Sequence, residues 1–176
     1  MEVLQVTSEL ELMLDLYRQV KPKRVLEIGS WDGGTLKEWL TQHKPDVVVA
    51  VDLEHRNREA YEGWRHPDTI LYLYDGQSQE ASQIAAMGSH APYDWVFIDG
   101  DHGHDAVAED VANCLPLVRP GGMMLLHDIV EAVGYEKTGP RRVFESLRGT
   151  HELTEIETEP NDYPPDSAHG IGVVQL

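Results

Sequence analysis

One apolar segment of this chain ends in a dense group of ionisable side chains. In the stretch YDWVFIDGDHGHD, the hydrophobic run WVFI is followed within seven positions by Asp99, Asp101, His102, His104 and Asp105. Carboxylates and imidazoles at this spacing can ligate a divalent ion, serve as general acids and bases, or simply form a polar loop that begins a helix. The stretch alone leaves these three interpretations open.

Acidic residues also stand where the other apolar segments end. The endings read EIGS, VDLE, YDGQ, IDGDH and LHDI. They place Glu27 next to a glycine and put Asp52, Asp75 and Asp128 at the ends of their segments. Ligands of parallel α/β sheets bind beyond the carboxyl ends of the strands. We therefore expect these carboxylates to share one crevice.

The first ending, LEIGSWDGGTL, is a glycine-rich turn between a strand and a helix. Gly29 permits a tight turn, while Gly33 and Gly34 permit a ligand to approach the backbone. Thr35 and Glu38 predict a capping box at the start of a helix. Such a helix directs free N–H groups and its positive dipole end into the gap. A turn of this kind also suits a purely structural junction.

The next two strand ends favour an adenosine-containing ligand. Asp52 follows the turn by about twenty residues, the position from which a carboxylate accepts hydrogen bonds from ribose hydroxyls. Asp75, followed by Gly76 and Gln77, is expected within reach of an adenine amino group. Glu27 would repel a pyrophosphate and instead suits a cationic group, such as the amino group of a methionine moiety.

Alternating strands and helices position these residues. The pattern predicts helices at 8–20, 35–43, 78–88, 105–118 and 140–149, and strands at 24–29, 46–53, 69–76, 93–100, 121–129, 151–158 and 170–176. Such alternation is typical of βαβ units, with parallel strands and helices on both faces. The last two strands lack an intervening helix and should pair antiparallel. The predicted fold is α/β, a Rossmann-like three-layer αβα sandwich.

Composition narrows the class of protein. The 176 residues, 41% of them hydrophobic, fit one domain, with an N-terminal helix in 1–22 and a cofactor-binding core in 23–176. The net charge of −17 and the absence of a basic patch argue against a nucleic-acid partner. No apolar run is long enough for a membrane span, and Cys114 is the only cysteine. We expect a cytoplasmic protein without a membrane partner.

The segments VLEIGSWDGGT, VDLE, YDG, DWVFIDGDH and LVRPGGMMLLHD, in this order, resemble class I S-adenosylmethionine-dependent methyltransferases. The combination FIDGDH…D…PLVRPGG…HD resembles the bacterial branch of small-molecule O-methyltransferases and cephalosporin hydroxylase-like proteins. The resemblance implies a seven-stranded, mostly parallel sheet of order 3-2-1-4-5-7-6 with the last strand antiparallel. It also implies methyl transfer to a small-molecule hydroxyl acceptor, such as a sugar, vicinal diol or phenol.

Expected contacts to S-adenosylmethionine comprise the crevice residues, their neighbours and part of the strand-four loop: Glu27, Gly29, Ser30, Gly33, Thr35, Asp52, Leu53, Asp75, Gly76, Gln77, Asp99 and His102. Other polar or aromatic residues receive structural interpretations. Asp105 is predicted to cap a helix, Asp110 to be structural, His104 to be solvated, and Trp31 and Trp95 to pack.

The resemblance further implies a divalent metal between the ends of strands four and five. By position, its ligands are Asp99, with Asp101 as a rival, and the pair His127 and Asp128. Mg²⁺ or Mn²⁺ there would bind the acceptor and help deprotonate it. His127 stands where related enzymes more often carry a carboxylate. Two alternatives stay open: His127 as a general base beside Asp99 without a metal, and neither role.

Two other classes of function also remain open. A short chain without a large lid insertion is compatible with a non-catalytic module that only binds S-adenosylmethionine. One histidine and two carboxylates resemble the facial triad of iron oxygenases, which would suit a metal-dependent hydroxylase. The surface that contacts the acceptor is expected from residues 130–139, residues 159–169 or the second subunit of a homo-oligomer.

Overall fold

The computed structural model describes residues 7–130, 139–156 and 169–176. Most of the two segments expected to contact the acceptor lies outside the described residues. The helices are α1 (Thr7–Val20), α2 (Gly34–Thr41), α3 (Arg58–Trp64), α4 (Ala81–Ser89), α5 (His104–Cys114) and α6 (Gly139–Ser146). The strands are β1 (Arg24–Ile28), β2 (Val47–Asp52), β3 (Ile70–Asp75), β4 (Tyr93–Ile98), β5 (Val118–Val130), β6 (Glu152–Ile156) and β7 (His169–Gln175).

These strands form one sheet of seven, in the order β3-β2-β1-β4-β5-β7-β6. The first five strands pair in parallel. β7 runs antiparallel to both of its neighbours, β5 and β6. The predicted strand order and the antiparallel last strand are confirmed.

Two hydrophobic clusters hold helices to the two faces of the sheet. Met13, Leu36 and Tyr61 belong to the cluster that joins α1, α2 and α3 to one face. Met87, Val111 and Phe144 belong to the cluster that joins α4, α5 and α6 to the other. The central strands are mostly apolar because both faces are covered: all six residues of β4 are buried, Asp94 among them. The three-layer α/β sandwich is confirmed.

The structure differs from the sequence-based prediction at one helix and at one helix cap. Helix α3 was not predicted, since only Tyr61 of its seven residues is buried and the apolar pattern is weak. Helix α5 begins at His104 after the N-cap residue Gly103, so Asp105 is not its cap. The Asp105 carboxylate is fully exposed and contacts His104 instead. Trp95, in contrast, is fully buried as predicted.

Among the described residues, no helix could span a membrane. Each described helix is too short or too polar to cross a bilayer.

Candidate functional site

A cavity of about 440 Å³ opens at the carboxyl ends of β1 to β4. Its volume falls within the range of small-molecule sites, and its place is the one at which doubly wound sheets bind ligands. We call it the crevice cavity. The residues that line it are Ile28, Gly29, Trp31, Val51, Asp52, Leu53, Gly76, Gln77, Ser78, Gln79, Asp99, Gly100, Asp101 and Ala106.

Half of the expected cofactor contacts line this cavity. They are Gly29, Asp52, Leu53, Gly76, Gln77 and Asp99. The others lie outside the lining: Glu27, Ser30, Gly33, Thr35, Asp75 and His102. Eight lining residues are not among the contacts expected from the sequence: Ile28, Trp31, Val51, Ser78, Gln79, Gly100, Asp101 and Ala106. Six of these eight are direct sequence neighbours of an expected contact, so the available signal is the continuation of each strand end into its loop.

The glycines of the first turn are required by the protein itself. Gly29 has a φ of +81°, and a Cβ there would lie 2.0 Å from the carbonyl oxygen of Asp99. Gly33 has a φ of +84°, and a Cβ there would overlap the ring of Tyr61. The turn after β1 is thus packed directly on the end of β4. For Gly33, the structure gives a packing reason in place of the expected approach of a ligand.

The Asp52 carboxylate holds this turn to the end of β2. Its Oδ2 accepts hydrogen bonds from the backbone N–H of Ser30 at 2.7 Å and of Trp31 at 2.8 Å. Its Oδ1 accepts one from the backbone N–H of Glu54 at 3.1 Å. A carboxylate oxygen has two lone pairs, so Oδ1 keeps acceptor capacity toward the crevice cavity.

Glu27 is fully buried behind the turn. Its carboxylate accepts hydrogen bonds from the hydroxyls of Thr35 and Ser30. The predicted capping box is therefore wrong, because the N-cap residue of α2 is Gly33 and the Thr35 hydroxyl is used by Glu27. Burial, the largest cause, raises the pKa of Glu27 to about 8, and the charge of Asp99 adds to the effect.

We expect Glu27→Gln to stabilise the fold increasingly as the pH rises. The folded-state pKa of Glu27 lies above its ordinary value of 4.5, so its contribution to stability is fully present below that value and is lost as pH rises toward about 8. Glutamine does not titrate and escapes this loss. Between pH 5.5 and 7.5, the free energy of unfolding of the variant should increase by about 2–3 kcal/mol relative to that of wild type. Urea denaturation at several pH values measures it.

The matched control for this prediction is Glu38→Gln. Glu38 lies at the surface of α2, where its carboxylate accepts a hydrogen bond from Gln42. The same substitution there should change the free energy of unfolding by an amount that stays constant over this pH range. A pH-independent difference for Glu27→Gln would contradict the raised pKa.

Asp75 has partners other than a ligand. Its Oδ1 lies 2.7 Å from Nδ1 of His55, and its Oδ2 accepts a hydrogen bond from Arg58 at 2.6 Å. These contacts, with that of His55 first, lower its pKa to about 2. The side chain thus fixes the segment before α3. At this strand end it is Gly76 and Gln77 that line the crevice cavity.

A second cluster lies beside the crevice cavity. One ligand atom each from Asp99, His102 and Asp128 lies within 4.8 Å of the others, a spacing suited to a metal ion. Nε2 of His102 is 2.9 Å from Oδ2 of Asp128. Nδ1 of His127 is 3.2 Å from Oδ1 of Asp99 and 3.3 Å from Oδ1 of Asp128. The three expected ligands meet, and His102 joins them.

An irregularity in β5 makes this convergence possible. Successive side chains of a regular strand point to opposite faces of the sheet. Here the pairing of β5 with β7 shifts between His127 and Val130, and Asp128 has a φ of +59°. The break brings the His127 ring and the Asp128 carboxylate to the same side. A β-bulge that re-aims a side chain is common beside active sites.

The two imidazoles of the cluster differ in access. Only 9% of His127 is exposed, whereas over half of the His102 side chain is exposed. Burial alone would lower the pKa of His127, but the carboxylates of Asp99 and Asp128 outweigh it and raise that pKa well above the ordinary value. The hydrogen bond to Asp128 also raises the pKa of His102. His127 is thus enclosed by carboxylates, while His102 faces the open side.

The remaining polar residues of the strand-four loop are placed apart from the cluster. Asp101 lines the crevice cavity, but its Oδ1 accepts a hydrogen bond from the backbone N–H of Gly103 at 2.5 Å. His104 is partly exposed at the start of α5. Trp31 is 63% exposed at the cavity, with Arg56 5.7 Å from its ring centre. The interpretation of Trp31 as a packing residue is wrong.

Residues 26–129 match the family described as "Methyltransferase domain". Among curated proteins, the chain is 26% identical over 113 residues to demethylmacrocin O-methyltransferase of Streptomyces fradiae. It is 27% identical over 115 residues to mycinamicin VI 2''-O-methyltransferase of Micromonospora griseorubida. Each alignment covers 60% of this chain but 27% of the relative, so the chain spans about a quarter of the length of these relatives.

Solved structures support the fold. The O-methyltransferase TomG from Streptomyces achromogenes, in complex with SAM, matches with a TM-score of 0.71 and 21% identity, covering 96% of this chain and 79% of that one. The O-methyltransferase from Bacillus cereus, in complex with SAH, matches with a TM-score of 0.72 and 16% identity. The match covers 97% of this chain and 81% of that one. MycE from the mycinamycin biosynthetic pathway, in complex with Mg and SAH, matches with a TM-score of 0.65 and 20% identity. The match covers 93% of this chain and 47% of that one. At these identities, the likeness establishes the architecture.

Proposed function

Because the chain belongs to the methyltransferase domain family, we propose that it transfers the methyl group of S-adenosylmethionine to an oxygen atom of a small-molecule acceptor. One observation carries the proposal: Asp99 both lines the crevice cavity and belongs to the cluster with metal spacing. A methyl donor in the cavity and an acceptor at the cluster would meet at this residue. The names of both curated relatives support oxygen as the acceptor atom.

The charge of the crevice cavity favours a cationic ligand. Among the described residues that line it, three are carboxylates, namely Asp52, Asp99 and Asp101, and none is Lys, Arg or His. Such a lining repels a pyrophosphate and attracts the sulfonium and amino groups of S-adenosylmethionine. Asp52 is the acceptor for ribose hydroxyls, while Leu53 and Ala106 offer apolar walls to the purine.

Asp99, Asp128 and His102 fit a divalent ion through two carboxylates and one imidazole. Bound Mg²⁺ or Mn²⁺ would supply positive charge that lowers the pKa of the acceptor hydroxyl. The sequence had placed His127 in this ligand set. The buried position of His127 between the two carboxylates better suits a positioning role, in which it fixes their orientation.

The transfer itself needs a proton acceptor and good alignment. The acceptor oxygen forms a bond to the methyl carbon as the carbon–sulfur bond breaks, and the sulfonium becomes the thioether of S-adenosylhomocysteine. The hydroxyl proton must leave, and when no ion occupies the cluster the accessible imidazole of His102 can accept it. Alignment of donor and acceptor supplies much of the rate in such a displacement.

The test is product formation from labelled donor. The purified chain is incubated with methyl-labelled S-adenosylmethionine and a panel of sugars, vicinal diols and phenols, with Mg²⁺, with Mn²⁺ or with EDTA. We expect S-adenosylhomocysteine and an O-methylated product, with less of both in EDTA. Binding of the donor without turnover on any acceptor would favour the non-catalytic module. Oxygen consumption that requires Fe²⁺ would favour a hydroxylase.

A further inference from the structure

A carboxylate of α5 holds one wall of the crevice cavity from behind. Asp110 is 1% exposed. Its Oδ1 accepts a hydrogen bond from the Ser78 hydroxyl at 2.6 Å and another from Nε2 of Gln79 at 2.8 Å. Ser78 and Gln79 both line the cavity, on the segment between β3 and α4. Asp110 itself does not line the cavity, so it acts on this wall through its two partners.

The second oxygen of Asp110 lies beneath another wall. A Cβ added to Gly100 would be 3.8 Å from Oδ2 of Asp110. Gly100 lines the crevice cavity on the loop after β4. Oδ2 is buried and makes no hydrogen bond within the described part of the chain. One buried side chain therefore underlies both the β3–α4 segment and the β4–α5 loop.

A carboxylate at this position is costly for folding. The charged neighbours that act on it, Glu109 and Asp101, are negative. Burial, the largest cause, raises the pKa of Asp110 to about 6. The other buried residues of α5 are Val107, Val111 and Cys114, and an apolar residue in place of Asp110 would avoid the cost of burying a charge. The hydrogen bonds to Ser78 and Gln79 are what such a residue would lose.

We propose that Asp110 is a positioning residue for the purine end of the cofactor. It fixes Ser78 and Gln79 so that residues 76–79 present their backbone and side-chain polar groups to the purine edge. This inference rests on the proposed cofactor. It adds to the site a residue that touches neither the cofactor nor the acceptor.

Calorimetry with S-adenosylhomocysteine tests the proposal on Asp110→Leu, Asp110→Asn and Ser78→Ala. Leucine removes the acceptor, and we expect the Kd to rise about tenfold, the loss that one or two hydrogen bonds cause. Ser78→Ala removes a donor on the other side and should raise the Kd by a similar factor. Asparagine keeps a carbonyl acceptor and should stay within about threefold of wild type. The double variant Ser78→Ala, Asp110→Leu should bind no more weakly than the weaker single variant.

A second ligand separates positioning from general destabilisation. S-inosylhomocysteine carries a 6-oxo purine in place of adenine. Wild type should prefer the adenine compound, and Asp110→Leu and Ser78→Ala should lose much of that preference. In both variants the KM for S-adenosylmethionine should rise by a larger factor than kcat falls, since the reacting groups are untouched.

Val111→Ala is the matched control, because Val111 is a buried neighbour on α5 that does not line the crevice cavity. It should bind S-adenosylhomocysteine as wild type does. The proposal is overturned if Ser78→Ala and Asp110→Leu keep the wild-type Kd, or if Val111→Ala weakens binding equally. If Asp110→Leu fails to fold, the Kd of Ser78→Ala alone tests the proposal. A wild-type chain that does not bind S-adenosylhomocysteine would overturn the proposed function as well.

Discussion

Replacing Asp128 by asparagine is expected to lower kcat/KM for methyl transfer by about 10³-fold, which corresponds to about 4 kcal/mol of transition-state stabilisation. The Asp128 carboxylate contacts both imidazoles of the cluster, His102 at 2.9 Å and His127 at 3.3 Å. It also belongs to the candidate ligand set. Asparagine removes the charge that orients these groups and weakens the hold on a divalent ion.

The same substitution should leave the backbone and the cofactor site intact. Asparagine tolerates positive φ better than other non-glycine residues do, and Asp128 has a φ of +59°. Asp128 is also absent from the lining of the crevice cavity, so the Kd for S-adenosylhomocysteine should stay within about threefold of wild type. Steady-state kinetics and calorimetry on one preparation measure the two effects separately.

Asp105→Asn is the control for Asp128→Asn. The Asp105 carboxylate is near the cluster in sequence but fully exposed, with a contact to His104. Its loss should change neither turnover nor binding. If Asp128→Asn retains more than about a tenth of wild-type activity, the cluster is not the site of chemistry.

The positions of the main carboxylates are predictable from sequence because parallel strands carry their ends to one edge. Asp52, Asp99 and Asp128 each follow an apolar run, and the structure places the first two on the crevice cavity and the third in the adjoining cluster. The sequence between the last two predicted strands carries no helical pattern and therefore predicts that they pair antiparallel, as β6 and β7 do.

Backbone conformations set by distant contacts are not predictable in this way. Trp31 has a φ of +47°, and its N–H is held by the carboxylate of Asp52. Asp128 reaches the cluster only because β5 is irregular at that point. No local sequence pattern predicts either feature. The sequence therefore favours a packing role for Trp31, whereas the structure leaves this side chain exposed.

Side-chain hydrogen bonds between residues that are far apart in the chain cannot be predicted from the sequence, for a related reason. Thr35 and Glu38 match a capping box, yet the buried carboxylate of Glu27 takes the Thr35 hydroxyl. A fully buried carboxyl group gains more from that hydroxyl than the helix end does, because it has no water to bond to. Ser78 and Asp110 are 32 residues apart, and their bond depends on how α5 packs. Local patterns describe what a residue offers, while packing decides which partner it meets.

Asp52→Asn is expected to weaken binding of S-adenosylhomocysteine by about tenfold to thirtyfold, the loss of one hydrogen bond to a charged group. Asparagine keeps one oxygen, which can still accept from the backbone N–H groups of Ser30 and Trp31. The first turn should therefore keep its shape, with a cost of about 1 kcal/mol in the free energy of unfolding. What is lost is the second anionic oxygen, which we assign to the ribose.

Deoxyribose analogues of S-adenosylhomocysteine make the assignment specific. Wild type should bind the 2′-deoxy or the 3′-deoxy analogue about tenfold more weakly than the parent compound, whereas Asp52→Asn should bind the same analogue and the parent almost equally. Asp46→Asn, at the exposed amino end of the same strand, should discriminate as wild type does. Equal losses in wild type and Asp52→Asn would show that the hydroxyls are recognised elsewhere. Asp52 would then serve only to hold the turn, as its bonds to Ser30 and Trp31 already require.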